Sequence, residues 1–274
     1  MVLHLSQILR IKNGVKNLTA LANIAKLTVN SSFYFSHVLK LNNTINIRSD
    51  NMNIGILVAV EFDAFYNIYG EPVERYKHGG FEVLKYQIHG KDVFVCPSRA
   101  GQIRAAMAMT ILLDFYKCET IINYGVVGAL SNQEVEELAV VESVCHYEWD
   151  TSDADDLPKG QYEIFDDVAM ITTGSLVELA MKIDPHLKKV RLASGDKFVA
   201  GLEAKTALRN EWGCDIVDME GAAIAIASKL YEADFVMIKA VSDALTDGGA
   251  EFYVNFERAS KVAVKIIDDL IREI

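Results

Sequence analysis

From Met52 onward the chain alternates short apolar runs with amphipathic stretches, and that alternation leaves few folds open. Ile54–Val60 (IGILVAV) has the length and β-branched content of a buried strand. Phe81–Gln87 and Val93–Cys96 read as two more strands, joined by a turn at His89-Gly90-Lys91. Gly101–Tyr116 reads as a helix with Ala105, Ala106 and Ala108 as its small residues. Strands follow at Thr120–Val126, Ala139–Val144 and Lys189–Ala193, then a helix at Leu202–Trp212. Strand Asp215–Val217, helix Gly221–Tyr231 and strand Phe235–Val241 come next, and an amphipathic helix over Glu251–Ile271 closes the chain. Strands alternating with helices predict a layered α/β fold, with residues 52–274 as one domain.

Charge separates the first 51 residues from the rest. They hold six basic residues (Arg10, Lys12, Lys16, Lys26, Lys40, Arg48) and one acid, Asp50, in a chain of net charge −11. This basic extension reads as an organelle transit peptide, as sequence upstream of a true start at Met52, or as a poorly ordered leader. The acidic remainder argues against a nucleic-acid surface, which needs a basic patch. No apolar run reaches the roughly 18 residues of a membrane span. Cys96, Cys118, Cys145 and Cys214 show no metal-ligand or disulfide spacing, which fits a reducing cytoplasm.

The chemistry-bearing residues gather at strand ends, where open α/β sheets bind ligands. Asp218 and Glu220 sit where strand 215–217 hands over to its helix, in DIVDMEGAAIAIA. Asp243 follows strand 235–241, Asp63 follows strand 54–60, and Asp196 and Phe198 follow strand 189–193. Each acid also has a plain structural reading, as a helix cap, a dipole partner or a turn residue. The dry setting of Glu220 favours a functional role, because a capping acid does not need apolar neighbours.

Five segments in order carry a resemblance: IGILVAVEFDAF (54–65), IINYGVVGAL (121–130), ASGDKFV (193–199), VDMEGAAIA (217–225) and IKAVSD (238–243). Together they resemble the nucleoside phosphorylase superfamily, within it the 5′-methylthioadenosine/S-adenosylhomocysteine nucleosidases. The resemblance implies a three-layer α/β/α sandwich with a central mixed sheet. It implies cleavage of a purine N-ribosidic bond, no metal or organic cofactor, and a homodimer or larger homo-oligomer. Asp243 is then the general acid that protonates purine N7, with burial raising its pKa. Glu220 holds the ribose hydroxyls and Met219 packs on the sugar. Phe198 stacks on the base, with the Val199 backbone at its edge. Ser242, Gly125 and Val126 fall at the pocket, and Tyr253 covers the 5′ substituent. Asp63 takes the place of the family's water-activating glutamate. Asp218 is left as a cap or supporting residue.

Three positions depart from the family pattern. Asp63 is one methylene shorter than glutamate, Val126 replaces a serine, and Arg99 stands where the family has glycine. Arg99 reads as a ligand for phosphate or an acidic substrate tail, or as a structural pair. Hydrolysis ranks first, phosphorolysis second and purine binding without turnover third. The phosphorylases' Gly-Asp-Pro-x-x-Arg signature is absent, and Asn123 stands where a second phosphate-binding arginine is expected.

Overall fold

A computed structural model describes residues 52–246 and 249–274, and the basic extension 1–51 lies outside the described residues. In chain order the elements are β1 (Ile54–Val58), α1 (Phe62–Tyr69), β2 (Glu74–His78), β3 (Phe81–Ile88), β4 (Lys91–Pro97) and α2 (Gln102–Thr110). A π-helical turn, Ile111–Phe115, leads to β5 (Thr120–Ala129), β6 (Leu138–His146), β7 (Met170–Ile171), α3 (Gly174–Ile183) and β8 (Lys188–Ser194). The chain closes with α4 (Leu202–Trp212), β9 (Ile216–Asp218), α5 (Gly221–Tyr231), β10 (Asp234–Asp243) and α6 (Ala250–Glu273).

Period-two alternation along the central strands explains the layers. In β1, Ile54, Ile56 and Val58 face the core under α1, α3 and α6, while Leu57 joins the core under α2 and α5. Likewise β10 sends Val236, Ile238 and Ala240 to one face and Phe235, Met237 and Val241 to the other. The strands are therefore apolar on both sides, and helices cover both faces of a mixed sheet, as expected.

The sheet folds back on itself. β10 pairs in parallel with β5 and antiparallel with β6. β6 pairs with β8, β8 with β9, and β9 with the far end of β5. These five strands close a ring, while β1, β4, β3 and β2 extend from β5 as an open wing. The ring lengthens two strands beyond their expected ends. Asp243 pairs with Gly128, so β10 keeps its polar end inside the ladder. Two further differences are local. The expected helix 101–116 becomes α2 plus the π turn, closed by Tyr116 N–H donating to Ile111 O at 3.4 Å. Sequence reasoning also passed over α1, β2 and α3.

Helix α1 is held by one ring. Phe65 is fully buried and packs on Tyr69, Tyr86 and Tyr124 at centroid distances of 4.4, 5.2 and 6.5 Å. Replacing Phe65 by alanine should cost about 3–5 kcal/mol. Urea unfolding should show a lower midpoint with an unchanged slope.

Candidate active site

A cavity of about 480 Å³ opens where the ends of β1, β5, β8, β9 and β10 meet. Its wall is built from the chain's strand-end residues in turn. Val60 and Glu61 follow β1, and Val126–Gly128 belong to β5. Lys197–Val199 follow β8, Asp218–Glu220 end β9, and Ser242 and Asp243 end β10. Phe252, Tyr253 and Phe256 of α6 close the side.

The acid at the β1 end is Glu61. It is 3 % exposed and sits at the head of α1. One carboxylate oxygen accepts from the Val126 amide at 2.9 Å and the other from the Val60 amide at 2.9 Å. A Cβ at Gly125 would lie 3.0 Å from Glu61 Oε1, so a larger residue there would push the carboxylate back from β5. Asp63, the sequence-based choice, lies in the exposed first turn of α1 and does not line the cavity. The helix begins at Phe62, so residue 61 still belongs to the strand-to-helix turn that faces the cavity, whereas residue 63 has rotated out onto the helix surface. A usable signal was present: Glu61 is the first acid after an apolar strand, at the register where strand-end ligands sit.

Glu220 is 7 % exposed and accepts from the Gly101 amide at 2.9 Å. Burial, and then the neighbouring Asp218 charge, raise its pKa from the ordinary 4.5 to about 8. Asp218 takes the nearest cation for itself, with Lys239 Nζ 2.8 Å away and both side chains buried. Burial works to lower Lys239, but the charges of Asp218 and Glu220 outweigh it and hold the ammonium above its usual range. Asp218 also accepts from Ser194 Oγ at 2.6 Å and from the amides of Glu220 and Gly221 at 3.2 and 3.0 Å. It is thus both a cap for α5 and an ion-pair partner.

Asp243 is 2 % exposed, but it is not simply a buried acid. Lys205 Nζ of α4 donates to its Oδ2 at 2.6 Å, and the Ser242 hydroxyl lies 2.7 Å from its Oδ1. The sequence reading has burial alone set the state of this carboxyl; the structure adds a fully buried cation that the sequence reading missed.

The remaining expected residues divide. Phe198 lines the cavity, half exposed, with its ring edge-on to Phe252 at 5.5 Å. Val199, Met219, Ser242, Val126 and Tyr253 also line it, Tyr253 being 83 % exposed. Gly125 sits behind Glu61 and does not line it. Arg99 is exposed, adopts φ 67°, and leaves the lining to its neighbour Ala100. Away from the expected set, Trp149 stacks on Tyr162 at 4.4 Å and His146 Nδ1 lies 2.7 Å from Tyr162 Oη, and neither lines the cavity. No helix among the described residues is long and apolar enough to cross a membrane.

A family model described as the phosphorylase superfamily matches residues 53–272. The chain belongs to that superfamily. It is 28 % identical over 232 residues to an aminodeoxyfutalosine nucleosidase of Helicobacter pylori, covering 81 % of this chain and 99 % of that one. It is 29 % identical over 216 residues to a 5′-methylthioadenosine/S-adenosylhomocysteine nucleosidase of Bacillus thuringiensis, covering 73 % and 91 %. Among solved structures, that of the Helicobacter pylori 5′-methylthioadenosine/S-adenosylhomocysteine nucleosidase with butyl-thio-DADMe-Immucillin-A superposes with a TM-score of 0.77. That similarity carries 26 % identity and covers 82 % of this chain and all of that one.

The raised Glu220 has a stability consequence of definite sign. Its folded-state acid is weaker than the unfolded one, so the folded chain binds this proton more tightly. Ionising it as pH rises from the ordinary 4.5 to about 8 therefore costs stability. The loss should be on the order of 1 kcal/mol per pH unit across that window. Glu220→Gln should remove this slope, seen as a flatter dependence of the melting temperature on pH than in the wild type.

Proposed function

We propose that this chain is a purine nucleosidase that hydrolyses the N-ribosidic bond of a 5′-methylthioadenosine- or S-adenosylhomocysteine-like nucleoside and releases adenine. The observation that carries this reading is the Glu61 carboxylate, held by two amides at the cavity wall opposite a general-acid candidate. A carboxylate so held accepts a proton from water, which makes it the base for hydrolysis. Asp243 donates to N7 of the leaving purine. Glu220 accepts from the ribose hydroxyls and stabilises the positive charge that develops on the sugar. Met219 packs on the sugar and Phe198 on the base, while Val60, Ala100 and Tyr253 surround the 5′ group.

Charge favours water over phosphate as the nucleophile. Glu61, Asp218, Glu220 and Asp243 line the cavity, and Lys197 is the one cation among its lining residues. Asn123 is buried, and its side-chain amide donates to Leu57 O at 3.0 Å, so it offers an incoming anion nothing. Asp218 and Asp243 are paired with Lys239 and Lys205, so a phosphate dianion would meet the Glu61 carboxylate at the wall, with no arginine among the lining residues to hold it. Ile103 and Met107, one turn apart on the exposed face of α2, are 74 % and 53 % exposed and lie beside Ala100. We assign that face to contact with a second copy in a homodimer.

Base release from methylthioadenosine, S-adenosylhomocysteine, adenosine and inosine, with and without phosphate, tests the reading. Free sugar should form at the same rate in both conditions; formation of a sugar 1-phosphate would replace the nucleosidase with a phosphorylase. Glu61→Gln should slow hydrolysis by about 100-fold or more. Asp63→Asn should stay within about threefold of wild type, since exposed substitutions rarely disturb a site. The opposite ranking of these two variants would return the base to Asp63.

A further inference from the structure

Among the described residues, Lys205 is the one fully buried lysine that meets a proposed reacting group directly. It rises from α4 with no exposed surface, and its Nζ donates to Asp243 Oδ2 at 2.6 Å and to Ala244 O at 2.7 Å, with Asp243 O at 3.5 Å. Its acceptors belong to the protein and it does not line the cavity, so it acts through Asp243. This geometry poses a problem for the reaction just proposed. Asp243 Oδ2 already accepts from the Lys205 ammonium, so the proton that the purine needs must reach Asp243 from a donor.

We propose that Lys205 is the proton reservoir for Asp243: the ammonium passes a proton along the 2.6 Å contact, and Asp243 delivers it to N7 as the C1′–N9 bond breaks. This rests on the general-acid role of Asp243 in the proposed reaction. Two features of the site support it. Burial penalises both charges of the pair, so moving the proton from the ammonium to the carboxylate removes two buried charges at once. Oδ2 also lies over Gly128, where a Cβ would come within 2.9 Å, and Gly128 lines the cavity. The oxygen that receives the proton is therefore at the cavity wall. The Ser242 hydroxyl, with one proton, lies 2.7 Å from Asp243 Oδ1 and 3.2 Å from Val127 O, so it can turn to the carbonyl when the carboxyl becomes neutral.

The proton count closes. Lys205 loses one proton to Asp243, and Asp243 passes it to N7. The bonding pair of C1′–N9 leaves with the base. Water adds to C1′ and gives its proton to Glu61. After product release, Glu61 returns a proton to solvent and Lys205 takes one back. The other charged groups around the pair are Glu251 of α6, which accepts from the Ala244 amide at 2.9 Å, and, across the cavity, Glu61, Glu220, Asp218 and Lys239.

The test compares wild type, Lys205→Met and Lys205→Arg on a nucleoside and on 4-nitrophenyl riboside, whose leaving group departs without a proton. The readout is kcat at saturating substrate across pH. With methionine, Asp243 must take its proton from solvent. Nucleoside cleavage should then fall with rising pH, reaching about 100-fold below wild type near pH 9 and converging on it near pH 6. Arginine keeps the positive charge but does not release a proton. Lys205→Arg should lower the ratio of nucleoside to nitrophenyl riboside cleavage by about 100-fold at every pH. Three results would overturn the inference: nucleoside cleavage at the wild-type rate in the arginine variant, an unshifted basic limb in the methionine variant, or equal loss on both substrates. If Asp243→Asn still cleaves nucleosides, the acid assignment fails first and takes this inference with it.

Discussion

Two buried ammonium groups set the geometry of the site. Lys205 and Lys239 are 0 % and 2 % exposed, and each meets a carboxylate at a strand end. Removing four charges from water is costly, and such pairs add little net stability compared with an apolar core. What they supply is position. Lys205 ties α4 to the end of β10, and Lys239 ties β10 to the end of β9. Asp218 reaches on to Ser194 at the end of β8. Three strand ends and a helix are thus held in one register, and the cavity is the space left between them. Deleting either cation would strand a buried carboxylate, which costs far more than the pair itself contributes.

The ring of strands supplies the second constraint. Because β10 pairs with both β5 and β6, the end of β5 is drawn under the end of β10. Two β5 positions lie tight against the acids: a Cβ at Gly125 would come within 3.0 Å of a Glu61 oxygen, and one at Gly128 within 2.9 Å of an Asp243 oxygen. Glu61 is held by two backbone amides, which move less than a side-chain cradle would, whereas Asp243 is held by the Lys205 ammonium and the Ser242 hydroxyl.

Much of this was legible in the sequence, for physical reasons. Strands buried on both faces are short, apolar and β-branched, so β1, β5, β8 and β10 stood out with ends correct to a few residues. The acids at β9 and β10 stood out because a charge beside an apolar run needs a partner. The partners themselves did not. Lys205 sits in an ordinary-looking amphipathic helix, and Lys239 in the middle of an apolar strand; neither spacing says which carboxylate each will meet. The choice of Asp63 over Glu61 had a similar cause. Sequence spacing locates the strand end but not the residue at which the helix starts, and one residue of helix turns a side chain by about 100°. Helix α1 was passed over, so its rotation could not be used.

The way the acids are satisfied assigns their work. Asp218 has Lys239, Asp243 has Lys205, and Glu61 has two amides. Glu220 has a single amide and the residual field of a lysine already paired elsewhere, too little to offset burial and the Asp218 charge, which drive its pKa up to about 8. It is the least satisfied of the four acids and the most open to new hydrogen bonds. In the proposed reaction, two adjacent ribose hydroxyls would provide the donors it lacks and favour its ionised form beside the carbon that becomes cationic. Sugar binding would then prepare the charge that the transition state needs, so that the environment that makes Glu220 a weak acid also makes it responsive to substrate.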